Sequence, residues 1–276
     1  MSACLKRFII VLLILSMILL IIGCNKPDQD ELTNNEFDQS DDESQTLGLI
    51  NGNGVERDGL ILDGEKKMVN FGFSPNFDVT DSFTFEVWVN FMGPIDSSTV
   101  LFGAADSFRG AYGLHTYFES QVSFGLRTNE LGEMARVDYD LFYVNRWYHL
   151  AGVYDGNAKQ VSLYINGELV GTDTLPGTDT GLTGRELVIN GLQAIHGSPG
   201  QRGYSNCIVS EARLWSYARS QEEIVSDMNL PLNGDEEGLI GYWPLAEGEG
   251  AIAFDLSANE NHGSINGGTW HSINGN

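Results

Sequence analysis

Basic side chains are scarce in this 276-residue chain: 15 Lys and Arg stand against 38 Asp and Glu, a formal net charge of −23. A nucleic-acid partner needs a basic face to neutralise phosphates, so that class is excluded. Cysteine is scarcer still, with three residues, which excludes a small scaffold stapled by disulfides. Several motifs are missing as well. There is no His-Glu-x-x-His, no Cys-x-x-Cys and no Gly-x-Ser-x-Gly, so a catalytic zinc and a nucleophile elbow lack support. His115, His149, His196, His262 and His271 then read as structural or surface groups. A retaining glycosidase needs two carboxylates about 5–5.5 Å apart. One strand supplies them through Glu-x-Asp-x-x-Glu, and residues 47–276 hold no such pattern. Glu86 is followed on its own face by Trp88, not by a second acid.

Apolar residues are not scarce. A hydrophobic share of 42% and an aromatic share of 11% exclude disorder throughout. Glycine is abundant, at 33 residues, and many glycines among many aromatics point to strands joined by tight turns.

The first residues read as an address. Lys6 and Arg7 precede an uncharged run from Phe8 to Ile22, the length of a signal-peptide core and short for a bilayer span of about 20 residues. The run ends in Leu20-Ile21-Ile22-Gly23-Cys24, which resembles a bacterial lipoprotein signal. The resemblance implies cleavage after Gly23, lipid on Cys24 and a place in the bacterial cell envelope. Asn25 is not the aspartate of inner-membrane retention, so the outer membrane or outer surface is expected, with membrane contact through the lipid only. Residues 24–46 form an acidic tether that cannot bury enough surface to fold. Residues 47–276 are expected to be one domain, with Cys207 its lone cysteine, a small buried hydrophobe.

Within that domain the period-two signal is strong. Phe83, Phe85, Val87, Val89 and Phe91 alternate with the residues between them, so one face of this strand is buried. Trp147–Tyr154 is a second strand, and Val161, Leu163 and Ile165 lead into an Asn166-Gly167 hairpin turn. Further strands are predicted at 59–63, 98–104, 111–118, 121–127, 135–140, 186–190, 206–215, 239–243 and 263–270. Ser220 three residues before Glu223 is a capping-box pattern, and it predicts one short helix over 221–228, stopped by Pro231. Many short antiparallel strands with one small helix make the fold class all-β, a two-sheet jelly-roll sandwich.

Four blocks carry a family resemblance: Ser82-Phe83-Thr84-Phe85-Glu86-Val87-Trp88-Val89; Trp147 to Gly156 with Leu163 to Gly167; Glu211 to Trp215 with Ala218 to Ile224; and Gly241 to Leu245 through Asp255, Asn261-His262-Gly263 and Trp270. In this order they resemble the LamG-like domains of the concanavalin A-like lectin/glucanase superfamily, in its laminin G and pentraxin branch. The resemblance implies two curved sheets, with the closing Tyr-Trp-Pro block bringing the first and last strands together. It also implies a structural calcium, with Asp255 and Asn261 in the matching polar loop and Asp63 and Asp81 as weaker candidates. Gln193-Ala194-Ile195 stands where pentraxins carry a Glu-Gln-Asp cluster, so the ligand-bridging calcium site of that branch is not expected.

Sugar recognition needs an aromatic platform and planar polar side chains. The stretches 105–119 and 191–206 have that composition, with Arg109, Tyr112, His115, Tyr117, Gln193, His196, Arg202 and Tyr204. Trp88, Trp147, Trp215, Trp243 and Trp270 fall inside the family blocks and read as core or strand-pairing residues, not ligand platforms. Residues 47–276 hold 12 basic and 30 acidic groups, which argues against strongly anionic glycans. The expected function is a non-catalytic recognition lipoprotein for a glycan or glycoprotein. A hydrolase with acids drawn from different strands, and a protein–protein or envelope-assembly module, are the alternatives.

Overall fold

Inward-pointing apolar residues at alternate positions pair strand with strand and bury two faces against each other. A computed structural model describes residues 56–63, 66–95, 98–105, 112–117, 121–127, 134–141, 143–176, 184, 186–192 and 204–274. All of them fall in one compact unit, Asp42–Asn276. The leader, Cys24 and the acidic tether lie outside the described residues.

The strands, in chain order, are β1 (Gly59–Asp63), β2 (Met68–Gly72), β3 (Phe83–Phe91), β4 (Thr99–Ala105), β5 (Tyr112–Tyr117), β6 (Gln121–Arg127), β7 (Met134–Asp140) and β8 (Trp147–Asp155). There follow β9 (Gln160–Ile165), β10 (Glu168–Thr174), β11 (Glu186–Leu192), β12 (Asn206–Trp215), β13 (Leu239–Trp243), β14 (Ile252–Ala253), β15 (Gly263–Asn266) and β16 (Thr269–His271). One helix, α1 (Gln221–Asp227), lies between β12 and β13. One sheet runs β10-β9-β8-β3-β12-β1-β16, with β13 also on β12. The other runs β14-β15-β2-β11-β4-β5-β6-β7. All pairings are antiparallel, as the jelly-roll expectation requires.

The alternation in β3 works as read: Phe83, Phe85, Val87, Val89 and Phe91 enter the core between the sheets. Leu114, Phe124 and Val137 enter it from the opposite side. The sheets approach so closely that a Cβ on Gly152 would stand 2.0 Å from the Phe124 ring, so β8 needs glycine there. Gly59 pairs with His271, which brings the first and last strands together as expected. β2 was not among the predicted strands. It is five residues long with only Val69 and Phe71 turned inward, too short an alternation to stand out. β14, two residues long, escaped for the same reason.

The helix starts where its cap predicts. Ser220 Oγ accepts from Glu223 N at 3.3 Å, and Glu223 Oε2 accepts from Ser220 N at 2.7 Å. Ile224 packs on Ala151 and Val153, so the helix covers the outer face of the first sheet. Trp88 Nε1 donates to Met228 O at 2.7 Å beneath the same segment. Consequently the polar positions of β3 and β8 do not meet solvent: Thr84, Glu86 and His149 are all buried.

Candidate functional site

The second sheet carries a polar outer face near its β7 edge, and strand register explains it. His115 of β5 pairs with Ser123 of β6, which pairs with Asp138 of β7. Tyr117, Gln121 and Asp140 make the next transverse row. Gly113, Gly125 and Arg136 make the row on the other side. Directly paired residues share a face. Since Leu114, Phe124 and Val137 point to the core, these three rows point out.

The glycine row makes room for one long side chain. A Cβ on Gly125 would meet Arg136 Cγ at 3.2 Å. From there the Arg136 guanidinium reaches the Tyr117 ring, 4.7 Å from its centroid. Its Nε and Nη2 both donate to Asp138 Oδ2, at 3.1 and 2.8 Å. Burial works against the charge of Arg136, but Tyr117 and Asp138 outweigh it and its pKa is raised. The backbone N–H of Arg136 donates to Asp173 Oδ2 of β10 at 2.9 Å, which ties this edge strand to the other sheet. Gln121 Nε2 donates to Asp140 Oδ1 at 2.8 Å. An aromatic face and several planar polar groups thus sit on rigid strands.

Below them lie His115, 3% exposed, and Ser123, fully buried. His115 Nδ1 and Ser123 Oγ have no hydrogen-bond partner. Burial, and then the Arg136 charge, push the His115 pKa down to about 4, so the imidazole is neutral. Burial also lowers His149, despite the carboxylate of Glu86 beside it. Both histidines therefore refuse a proton that the unfolded chain accepts below about pH 6.5. Stability should be complete above that pH and decline as pH falls toward 4. Thermal unfolding between pH 7 and pH 4 checks this, and His115→Gln should flatten the decline.

The residues expected at the site fall in several places. Tyr112 sits on the core side of β5, where its hydroxyl donates to Phe77 O at 2.8 Å, so it is a packing residue and not a platform. His115 and Tyr117 reach the polar face. Tyr204 is half-buried, next to Ser205, whose hydroxyl lies 3.1 Å from that of Thr116. Arg109, His196 and Arg202 lie outside the described residues. Sequence reasoning sought the site in loops and passed over Ser123, Arg136 and Asp138. The alternating polar residues of 121–125 and 136–140 were the available signal.

The expected calcium ligands lie in three places, with Asp255 and Asn261 together in the closing loop and Asp63 and Asp81 apart from it. Asp63 pairs with Lys67 at the end of β1. Asp255 Oδ1 accepts from Tyr242 N and Ser257 N, at 2.9 and 2.8 Å, and Oδ2 accepts from Asn261 N at 2.8 Å. Its carboxylate thereby organises the closing loop through backbone amides. Asp81 lines two adjoining clefts of about 300 and 400 Å³ at a rim of the sandwich. Among the described residues, no three His, Cys, Asp or Glu side chains are grouped to hold a metal ion.

Among the described residues, the acid with no exposed surface is Glu86. Glu86 has Arg219 Nη1 at 2.7 Å from Oε1 and His149 Nε2 at 3.3 Å from Oε2. Burial alone would raise its pKa, but His149, Arg219 and Arg213 hold it down at about 2. A carboxylate so placed is a structural anion, not a proton donor. Cys207 is likewise inert, since burial pushes its thiol up to about 12.

Residues 63–225 match the family model described as Concanavalin A-like lectin/glucanases superfamily. The chain belongs to this superfamily. Within it, the chain is 31% identical to Pappalysin-1 of Mus musculus over 165 residues, 54% of this chain and 10% of that protein. The match thus spans a tenth of that relative's length. A candidate carbohydrate-binding protein from Bacteroides ovatus ATCC 8483 superposes with a TM-score of 0.57 and 22% identity, covering 80% of this chain and 61% of that one. The heptameric SAP-like pentraxin of Limulus polyphemus follows with a TM-score of 0.51 and 16% identity, covering 78% and 98%. At these identities the likeness to the superfamily's solved structures is one of fold.

Proposed function

We propose that the domain is a non-catalytic carbohydrate-binding module, held at the bacterial envelope by lipid on Cys24. The observation that carries the reading is the outer face of β5, β6 and β7. There Tyr117 offers a ring, and Arg136, Asp138, Gln121 and Asp140 offer planar hydrogen-bonding groups around it. Sugars are gripped by this combination, with apolar ring faces stacked and hydroxyls held in the plane of amides, carboxylates and guanidinium groups. The lipid anchor is supported by the Leu20-Ile21-Ile22-Gly23-Cys24 pattern.

Calorimetric titration with a panel of oligosaccharides, with chromatography of the sugar afterwards, tests this. A glycan should bind and come back intact, and Tyr117→Ala should weaken it about tenfold, ~1.4 kcal/mol. Cleaved sugar would move the reading to a hydrolase. Absence of any glycan bound would favour a protein partner.

A further inference from the structure

We propose that the corner formed by β14 and the residues that follow it docks a cationic, apolar-bearing segment of a partner protein. The corner is independent of the sugar face: β14 and β7 are the opposite edges of one sheet.

The register of β14 shows which of its side chains point outward. Ala253 pairs with Gly263 and enters the core, whereas Ile252 pairs with Ser264, which pairs with Asn70 of β2. That row faces away from the core. The alternation continues beyond the strand. Ala253, Asp255 and Ser257 are 0%, 3% and 4% exposed, but Ile252, Phe254 and Leu256 are 47%, 44% and 54% exposed. Three large apolar side chains therefore stand in line at the surface, about 7 Å apart. Single exposed apolar residues are ordinary, while a contiguous row marks an interaction surface. His262 stands beside the row, its ring centroid 5.2 Å from that of Phe254. The turn leading into β14 is open as well: a Cβ on Gly248 or Gly250 would meet no atom within 4 Å.

The charge around the row specifies what covers it. Residues 220–276 hold ten acids and no Lys or Arg. Three of those acids border the row. Glu247 Oε1 accepts from Phe254 N at 2.8 Å, Glu249 is exposed in the same turn, and Glu260 is exposed two residues before His262. Lys66 and Lys67 precede β2 at its other end, where Met68 pairs with Asn266, and Lys67 is bonded to Asp63. A second copy of this chain would set the same acids against each other. The tether is no better an occupant, since residues 25–46 hold eight acids of their own. A cationic segment is drawn in. Its apolar side chains cover Ile252, Phe254 and Leu256, and its lysines or arginines meet Glu247, Glu249 and Glu260.

The test uses the mature chain from Cys24, produced without lipid, and labelled dodecapeptides followed by fluorescence polarisation. The probe alternates lysine and leucine. One control keeps the lysines and replaces leucine with serine, and another keeps the leucines and replaces lysine with glutamate. The probe should bind at least tenfold tighter than either control and weaken as salt is added. Changing Ile252, Phe254 and Leu256 together to serine should remove the advantage over the lysine–serine peptide and leave the melting temperature level, because the three side chains are half exposed. Glu249→Lys with Glu260→Lys should weaken the probe about tenfold without touching the apolar row. Equal binding of the lysine–serine peptide would reduce the effect to diffuse charge and overturn the proposal. Equal binding of the glutamate–leucine peptide would overturn its charge half. Binding of the chain to phosphatidylcholine vesicles, or a dimer in sedimentation, lost in either case with the triple serine variant, would assign the row to a bilayer or to a second copy and overturn it too.

Discussion

Arg219→Ala is expected to lower the unfolding free energy by about 3–5 kcal/mol, read from urea denaturation. The arginine reaches from the segment before α1 into the outer face of the first sheet. Nη1 donates to Glu86, Nη2 donates to Glu223 O at 3.0 Å and to the carboxylate of Asp227, and the guanidinium lies 4.2 Å from the Trp215 ring. Removing it leaves the wholly buried Glu86 with His149 at 3.3 Å and the charge of Arg213 alone to hold it. The pair holds the helix segment to the sheet more than it adds net stability. Replacing Glu86 and Arg219 together with apolar residues should therefore cost less than the sum of the single changes. A double mutant as damaged as the sum would show that the two groups do not act on each other.

Trp243→Ala should cost about 3–5 kcal/mol as well, through a cavity. The indole is fully buried, with its centroid 4.3 Å from that of Phe71 and 6.0 Å from that of Phe102. Its Nε1 donates to Asn261 O at 3.0 Å, so truncation also strands an acceptor in the loop that Asp255 organises. β13, β15 and β16 close the sandwich at the C-terminal end of the chain, and Trp243 is where that closure packs on β2 and β4. Urea unfolding should show a single transition at a lower midpoint. Survival of an unshifted midpoint would mean that the closing block folds apart from the rest.

Much of this architecture was legible before any coordinates. The alternation of β3, the Asn166-Gly167 turn and the Ser220–Glu223 cap each named a local geometry that packing then kept. What alternation cannot say is what covers a strand's second face. β3 places Glu86 on the side away from the core, which reads as solvent, yet the chain returns 133 residues later to cover it with Arg219 and the helix. The proposed binding face was hidden for a related reason. Ser123 and Asp138 become neighbours only through the pairing of β6 with β7, and the Arg136–Tyr117 contact spans three strands. His115 and Tyr117 stand out by composition alone, and both lie on that face. Tyr112, three residues from His115, shares the composition but not the destination: the odd spacing along β5 sends it into the core.

The central claim is that a glycan binds on the outer face of β5, β6 and β7. Backbone amide NMR shifts, followed while a binding oligosaccharide is added, test it most directly. The largest changes should fall on residues 115–125 and 134–140. Changes confined instead to the rim clefts, at Asp78–Ser82 and Tyr154–Lys159, would place the sugar elsewhere and contradict it.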